Sequence, residues 1–156
     1  MVIKILVPLD GSELAAKILP RVEELAKTYQ AQVTLISIGH FASSVAVLNS
    51  TSEVLNEVAA REKEISEKYL QKTANALQDK GLKVDWVYEE AVPAEAIVSY
   101  AERRQMDLIA MATNGKGGIS WVLGSVAEKV ASLATVPVLL LEVMEFKVPP
   151  IKEGVS

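Results

Sequence analysis

A chain of 156 residues, half of them apolar and with a formal charge of −4, has the size and balance of one globular domain. Its acidity and the lack of a basic stripe weigh against a nucleic-acid partner. No apolar run nears the ~20 residues that cross a bilayer, so no membrane role is expected, and the lack of cysteine excludes a disulfide framework, a thiolate nucleophile and a zinc knuckle. The opening Met1-Val2-Ile3-Lys4-Ile5 enters a strand-like run directly, with no room for a signal peptide, so a cytoplasmic protein is expected.

Ile3 to Val7 is a nearly continuous apolar run closed by Pro8 and Asp10-Gly11-Ser12, the mark of a strand buried on both faces of a parallel sheet. From Glu13 to Tyr29, Leu14, Ile18, Val22, Leu25 and Tyr29 recur every three or four positions and predict one amphipathic helix. Val33 to Ile38 reads as a second strand, and residues 40–52, rich in Ser and Ala, as a surface loop. A long helix is predicted over 53–79, with Leu55, Val58, Ile65, Tyr69 and Leu77 on its apolar side and Gly81 as its stop. Alternation in Val84 to Glu89 suggests a strand near a sheet edge. Pro93 suits a helix first turn, Leu108 to Ala112 is another buried strand, and Thr113 to Leu123 is turn-like. A short helix over 125–134 and a strand over Val136–Val143 complete the domain, 1–143. Residues 144–156 form a tail containing Pro149-Pro150. This β-α alternation argues for an α/β fold, a parallel sheet with helices on both faces. Ligands of such sheets bind at the carboxyl ends of strands where the strand order reverses, which directs attention to Asp10 and Thr113.

The segment after the fourth strand, Asn114-Gly115-Lys116-Gly117-Gly118-Ile119-Ser120, can bring backbone amides close to phosphate oxygens. A helix starting at Gly124-Ser125 adds orphan amides and a positive dipole end. The segment is not a Walker A loop, because Lys116 is followed by Gly117 without the G-x-x-x-x-G-K-[S/T] frame, and it lacks the third glycine of a dinucleotide fingerprint. Ser125-Val126-Ala127-Glu128 also matches a capping box, in which Ser125 satisfies the amides of its own helix. The residues alone leave Ser125 open between cap and phosphate contact, and Asp10 between a turn residue and a ligand contact.

Ile5-Leu6-Val7-Pro8-Leu9-Asp10-Gly11-Ser12, Val92-Pro93-Ala94-Glu95-Ala96-Ile97, Asp107 to Gly115, Leu123-Gly124-Ser125-Val126-Ala127-Glu128-Lys129-Val130 and Val136-Pro137-Val138-Leu139-Leu140 follow one another in this order. Together they resemble the universal stress protein family over nearly the whole domain. The resemblance implies a Rossmann-like open five-stranded parallel sheet of order 3-2-1-4-5. It also implies an adenine nucleotide, ATP or ADP/AMP, with Asp10 at the ribose or adenine and Ile38 against the base. Gly115, Gly124, Ser125 and Val126 would surround the phosphates, with Ala112 beneath. Two departures stand out. Ala112 occupies the first glycine position of the family pattern, and the spacer between Gly115 and Gly124 has eight residues, one fewer than the pattern. The shorter spacer reshapes the loop over the phosphates and weighs against ATP relative to ADP or AMP.

Catalytic machinery is not evident. His40 is the single histidine, too few for a histidine triad or a histidine-rich metal site. Glu53, Glu57, Glu62, Glu64 and Glu67, interleaved with Arg61, Lys63 and Lys68, read as a solvated, ion-paired helix flank. Asp10 is then the one carboxylate expected at the pocket, and Mg²⁺ would be held mainly by the phosphates. The expected function is a nucleotide-binding sensor or regulatory module of the stress response. A nucleotide-free interaction protein of the same fold, or a slow ATPase, are the alternatives. The apolar strand Val136–Val143 at a sheet edge invites pairing, and the resemblance implies a homodimer through it, with the tail 144–156 against the partner.

Overall fold

The computed structural model describes residues 2–39, 52–113 and 124–142. The expected loop over 40–52 with His40, the glycine segment with Gly115, and the tail 144–156 lie largely or wholly outside the described residues. Five strands, β1 (Lys4–Pro8), β2 (Gln32–Gly39), β3 (Lys83–Glu90), β4 (Leu108–Ala112) and β5 (Val138–Leu141), form one sheet of order β3-β2-β1-β4-β5. The four pairings are all parallel, with Ile5 opposite Val33 on one side of β1 and Leu108 on the other. The fold class and strand order expected from the sequence are those observed.

Side chains alternate across the central strands into two cores. Ile5, Val7, Val33 and Leu35 face the layer of α2 (Leu19–Tyr29) and α3 (Ser52–Gln78), packing with Val22, Ala26, Leu70 and Leu77. Leu6, Ile36 and Ile109 face α4 (Pro93–Arg103) and α5 (Ser125–Leu133), packing with Ile97, Ala101 and Val130. Ile5, Leu6, Val7, Val33 and Ile109 are all essentially inaccessible to solvent, and this two-sided burial explains why these strands read as continuous apolar runs rather than alternations.

Several elements differ from expectation. The single helix over 13–29 is two: α1 (Glu13–Ala16) and α2, with Ile18 as N-cap and Pro20 in the first turn of α2. Pro20 has no N–H for the Ala16 carbonyl, and its ring would crowd that carbonyl in a continuous helix. Lys17 and Ile18 instead donate to Leu14 and Ala15 in a tighter turn. Tyr29, placed on the apolar face by periodicity, is 58% exposed. Helix α3 buries Leu70, Ala74 and Leu77, whereas Val58 and Ile65, expected on its apolar side with Leu77, are 49% and 62% exposed. The last strand is shorter than Val136–Val143, running Val138–Leu141, and it does lie at the sheet edge.

Geometry explains the behaviour of α3. Its 27 residues span about 40 Å at 1.5 Å per residue, whereas the eight of β3 span about 26 Å at 3.3 Å per residue. The C-terminal half docks on the sheet, where Trp86 Nε1 donates to Gln71 Oε1 at 3.1 Å and Gln78 Nε2 to the Val84 carbonyl at 2.8 Å. The N-terminal half overhangs the carboxyl ends of the strands. At that same end a Cβ on Gly39 would overlap the Tyr88 hydroxyl, so glycine leaves room for the tip of the Tyr88 side chain. Burial pushes the Tyr88 phenol up to about 12, with Glu62, Glu90 and Glu67 adding to it.

Candidate functional site

β1 ends at Pro8 and turns through Asp10-Gly11-Ser12. Asp10 Oδ1 accepts the Ser12 amide at 2.9 Å, Gly11 takes a left-handed φ of +82°, and Ser12 Oγ caps α1 by accepting the Ala15 amide at 3.1 Å. These interlocking bonds hold the Asp10 carboxylate at the carboxyl edge of the sheet, where it is exposed. Burial raises the Tyr69 phenol above its ordinary value, and the Asp10 charge raises it further while Thr73 opposes them. Asp10 therefore lies within electrostatic reach of α3.

β4 ends with Ala112, buried and extended, and its φ is not positive. An alanine thus sits where the family pattern has glycine without backbone strain. At the next residue, the Thr113 amide donates to the Leu141 carbonyl at 2.9 Å, and the Thr113 carbonyl accepts the Gly124 amide at 2.7 Å. The second bond ties the end of β4 to the start of α5. Thr113 Oγ1 is buried and has no hydrogen-bond partner among the described residues.

Helix α5 corrects the capping reading. Its N-cap is Gly124 (φ −61°, ψ 149°), without a side-chain cap, and Ser125 is already the first helical residue. The Glu128 amide donates to the Gly124 carbonyl at 2.9 Å, so the amides of Ser125, Val126 and Ala127 fall in the first turn, where no intrahelical acceptor exists. Glycine can take the cap position because its carbonyl alone starts the ladder. Ser125 is thereby displaced by one position from where its hydroxyl could close a capping box.

These ends surround one cavity of about 1000 Å³. Asp10, Ile38, Ala112, Ser125 and Val126 all line it. Gly124 holds the junction with Thr113 beside it, and Gly115 lies outside the described residues. Thr113, singled out in the sequence as a strand end, lines it too, and the structure adds Ser37 and a wall of α3 formed by Val54, Glu57, Val58, Arg61, Glu62, Ile65 and Tyr69. The charged flank is thus split. Lys63–Glu67 and Lys68–Glu64 pair on the exposed side at 4.0 and 2.9 Å, and Lys68 holds the Glu64 carboxyl below its usual range. Glu57, Arg61 and Glu62 face the cavity instead, so Asp10 is not its lone carboxylate. The signal was present in the spacing of Val54, Val58, Ile65 and Tyr69, which share one face. Its destination, a cavity in place of the core, depended on how far α3 overshoots the sheet. Among the described residues no group of three or more His, Cys, Asp or Glu could hold a metal ion, and no helix is long and apolar enough to cross a membrane.

The sequence profile of the universal stress protein family matches residues 1–142. The chain belongs to this family. Among universal stress proteins, MJ0531 of Methanocaldococcus jannaschii is 34% identical over 141 residues, covering 89% of this chain and 81% of that protein. YxiE of Bacillus subtilis is 30% identical over 144 residues, covering 88% and 97%. The solved structure of MJ0577, a universal stress protein of M. jannaschii, superposes with a TM-score of 0.83 at 29% identity, covering 94% of this chain and 99% of that one. Two more distant universal stress protein structures share the fold. A protein from Archaeoglobus fulgidus was solved in complex with dAMP (16% identity, TM-score 0.60, 90% and 97% covered). Another was solved with cAMP (17% identity, TM-score 0.66, 90% and 97% covered).

Because Ser12 caps a helix and Ser125 does not, their alanine variants separate. In urea unfolding Ser12→Ala is expected to cost about 1 kcal/mol, and Ser125→Ala less than about 0.5 kcal/mol. A cost for Ser125→Ala equal to that of Ser12→Ala would contradict the cap assignment.

Proposed function

We propose that this universal stress protein binds an adenine nucleotide in the cavity at the carboxyl end of the sheet and acts as a sensor or regulatory module of the stress response. The observation that carries the reading is the convergence of Asp10, Ile38, Ala112, Ser125 and Val126 on one cavity. They do so where the strand order reverses between β1 and β4, the place where open parallel sheets take their ligands. The phosphates lie against the first turn of α5, whose amides and dipole favour an anion. Gly124 and the Gly115 segment lie around the phosphates, and Ala112 lies beneath. The adenosine part lies toward Asp10 and Ile38. The dAMP and cAMP complexes of distant members support an adenylate as the ligand. Mg²⁺, where present, is held mainly by the phosphates.

Thr113, which the sequence singled out as the end of the fourth strand, adds a further contact. A buried hydroxyl without a partner costs about 1–3 kcal/mol. A ligand oxygen at the end of β4 relieves that cost, so the threonine favours the occupied state.

The reading extends to a cytoplasmic homodimer of domain 1–143, paired along β5, with the tail at that interface. What supports it is the composition of β5, Val-Leu-Leu-Leu, partly exposed at the sheet edge, since a bare apolar edge is a template for pairing. Sedimentation at micromolar concentration should give a dimer, and a monomer would contradict this part.

Calorimetric titration with ATP, ADP and AMP tests the nucleotide reading. At least one should bind, Gly124→Val should abolish the heat while the circular dichroism spectrum stays native, and Thr113→Val should weaken binding about three- to tenfold without loss of stability. No heat with any of the three would move the protein to a nucleotide-free interaction role.

A further inference from the structure

Helix α4 starts beside the large cavity, where Pro93 lines the wall, and runs back toward the amino ends of β1 and β2. Its 11 residues cover about 16 Å at 1.5 Å per residue, against about 26 Å for the eight of β2 at 3.3 Å per residue. The helix ends short of the first residues of β2, and a second cavity of about 80 Å³ lies there, lined by Lys4, Gln32, Thr34, Tyr100, Arg104 and Met106. Lys4 and Gln32 open their strands, so this cavity is at the opposite end of the sheet from Asp10 and Thr113. Thr34 is only 7% exposed, and its hydroxyl has no hydrogen-bond partner among the described residues. That hydroxyl is not sealed off as Thr113 Oγ1 is, so it opens onto the cavity. Lys4 Nζ donates to the Arg104 carbonyl at 3.3 Å and keeps further N–H donors for another partner. The Arg104 guanidinium carbon lies 5.8 Å from the centre of the Tyr100 ring, and neither cation is ion-paired among the described residues. Nearby carboxylates are engaged elsewhere: Glu89 pairs with Arg103 at 3.2 Å, and Asp107 accepts the Lys4 amide at 2.8 Å. Asp85, opposite Thr34 in register, does not line the cavity.

We propose that this cavity is a second and separate binding site, for a phosphate-type oxyanion. The two cations match the charge of a phosphoryl group at neutral pH, about −1.5 to −2. Arg104 supplies a planar fork and Lys4 a point charge, and the Gln32 amide and Thr34 hydroxyl add neutral donors. The carboxyl end of α4 would repel an anion, but the Lys4 bond to the Arg104 carbonyl blunts that end. A volume of about 80 Å³ equals two or three waters at ~30 Å³ each, room for a phosphoryl group and too little for a nucleoside. The site therefore stands independently of the nucleotide reading. Its occupant neutralises two like charges that the fold sets side by side, and it gives the buried Thr34 hydroxyl a partner.

The test follows amide chemical shifts of the full chain, at constant ionic strength, as inorganic phosphate, methyl phosphate or acetate is added. Phosphate should give saturable shifts at Gln32, Thr34, Arg104 and Met106. Arg104→Gln should weaken phosphate at least about tenfold. Arg104 is exposed and serves the α4 cap through its backbone, so this variant should fold, which circular dichroism checks. Thr34→Val should weaken phosphate about three- to tenfold with no loss of stability in urea, because the hydroxyl it removes has no partner in the protein. The tighter of inorganic phosphate and methyl phosphate identifies the source as the free ion or the head of a larger ester, and either supports the site. Shifts that are absent, that rise without saturating, that acetate reproduces at equal concentration, or that survive Arg104→Gln undiminished would overturn it. Saturable shifts confined to Thr113, Ser125 and Val126 would also overturn it, by placing phosphate in the large cavity alone.

Discussion

Strand β1 is hydrogen-bonded in parallel to β2 on one edge and β4 on the other, and the rest of the architecture follows from that placement. The chain moves outward from β1 to β2 and β3 with its crossovers on one face. It then returns past β1 to β4 and β5 with its crossovers on the other. Right-handed connections allow no other arrangement of faces. The segments leaving β1 and β4 therefore diverge to opposite layers, and the carboxyl ends of these neighbours are left with a crevice between them. Asp10 stands at one lip and Thr113 at the other. The crevice is a consequence of topology, and the side chains at its lips determine what it can hold.

The lips are built by different devices. At β1 the turn is locked by side-chain bonds, with Asp10 holding the Ser12 amide and Ser12 capping α1. At β4 the backbone does the work through the Thr113–Gly124 bond, which fixes the start of α5 against the strand end. The exchange of the family's first glycine for Ala112 is accommodated because the residue is in a regular strand. A positive φ there would have made the same exchange a source of strain. The β4 end of the cavity thus relies on a helix start and a buried hydroxyl, and the opposite wall on the side chains of α3.

Much of this was legible in the sequence. The continuous apolar runs of β1 and β4, the β-rich run of β2, the alternation of β3 and the helical periods between them specify a parallel α/β sheet, because burial on two faces leaves a different pattern from burial on one. The strand order required the family resemblance, since periodicity does not say which strands are neighbours. Local chemistry misled where two rules competed. Pro20 broke a helix that periodicity had drawn through it, and the S-x-x-E pattern at Ser125 lost its capping role once Gly124 took the cap. Helix α3 was the deeper difficulty. Its apolar positions were seen as one side of the helix, but that pattern did not separate Leu77, which is in the core, from Val58 and Ile65, which are exposed. Only the relative lengths of α3 and β3 reveal that this part of the helix runs past the sheet, and length in space is invisible to a pattern read along the chain.

The central claim is that the adenine nucleotide occupies the crevice between β1 and β4. Amide chemical-shift mapping during titration with AMP addresses it most directly. The largest shifts are expected at Asp10, Gly11, Ile38, Thr113, Ser125 and Val126, with β5 and the docked half of α3 little changed. Saturating AMP that leaves these amides unmoved, or moves instead a cluster along β5 or the exposed flank of α3, would contradict the account.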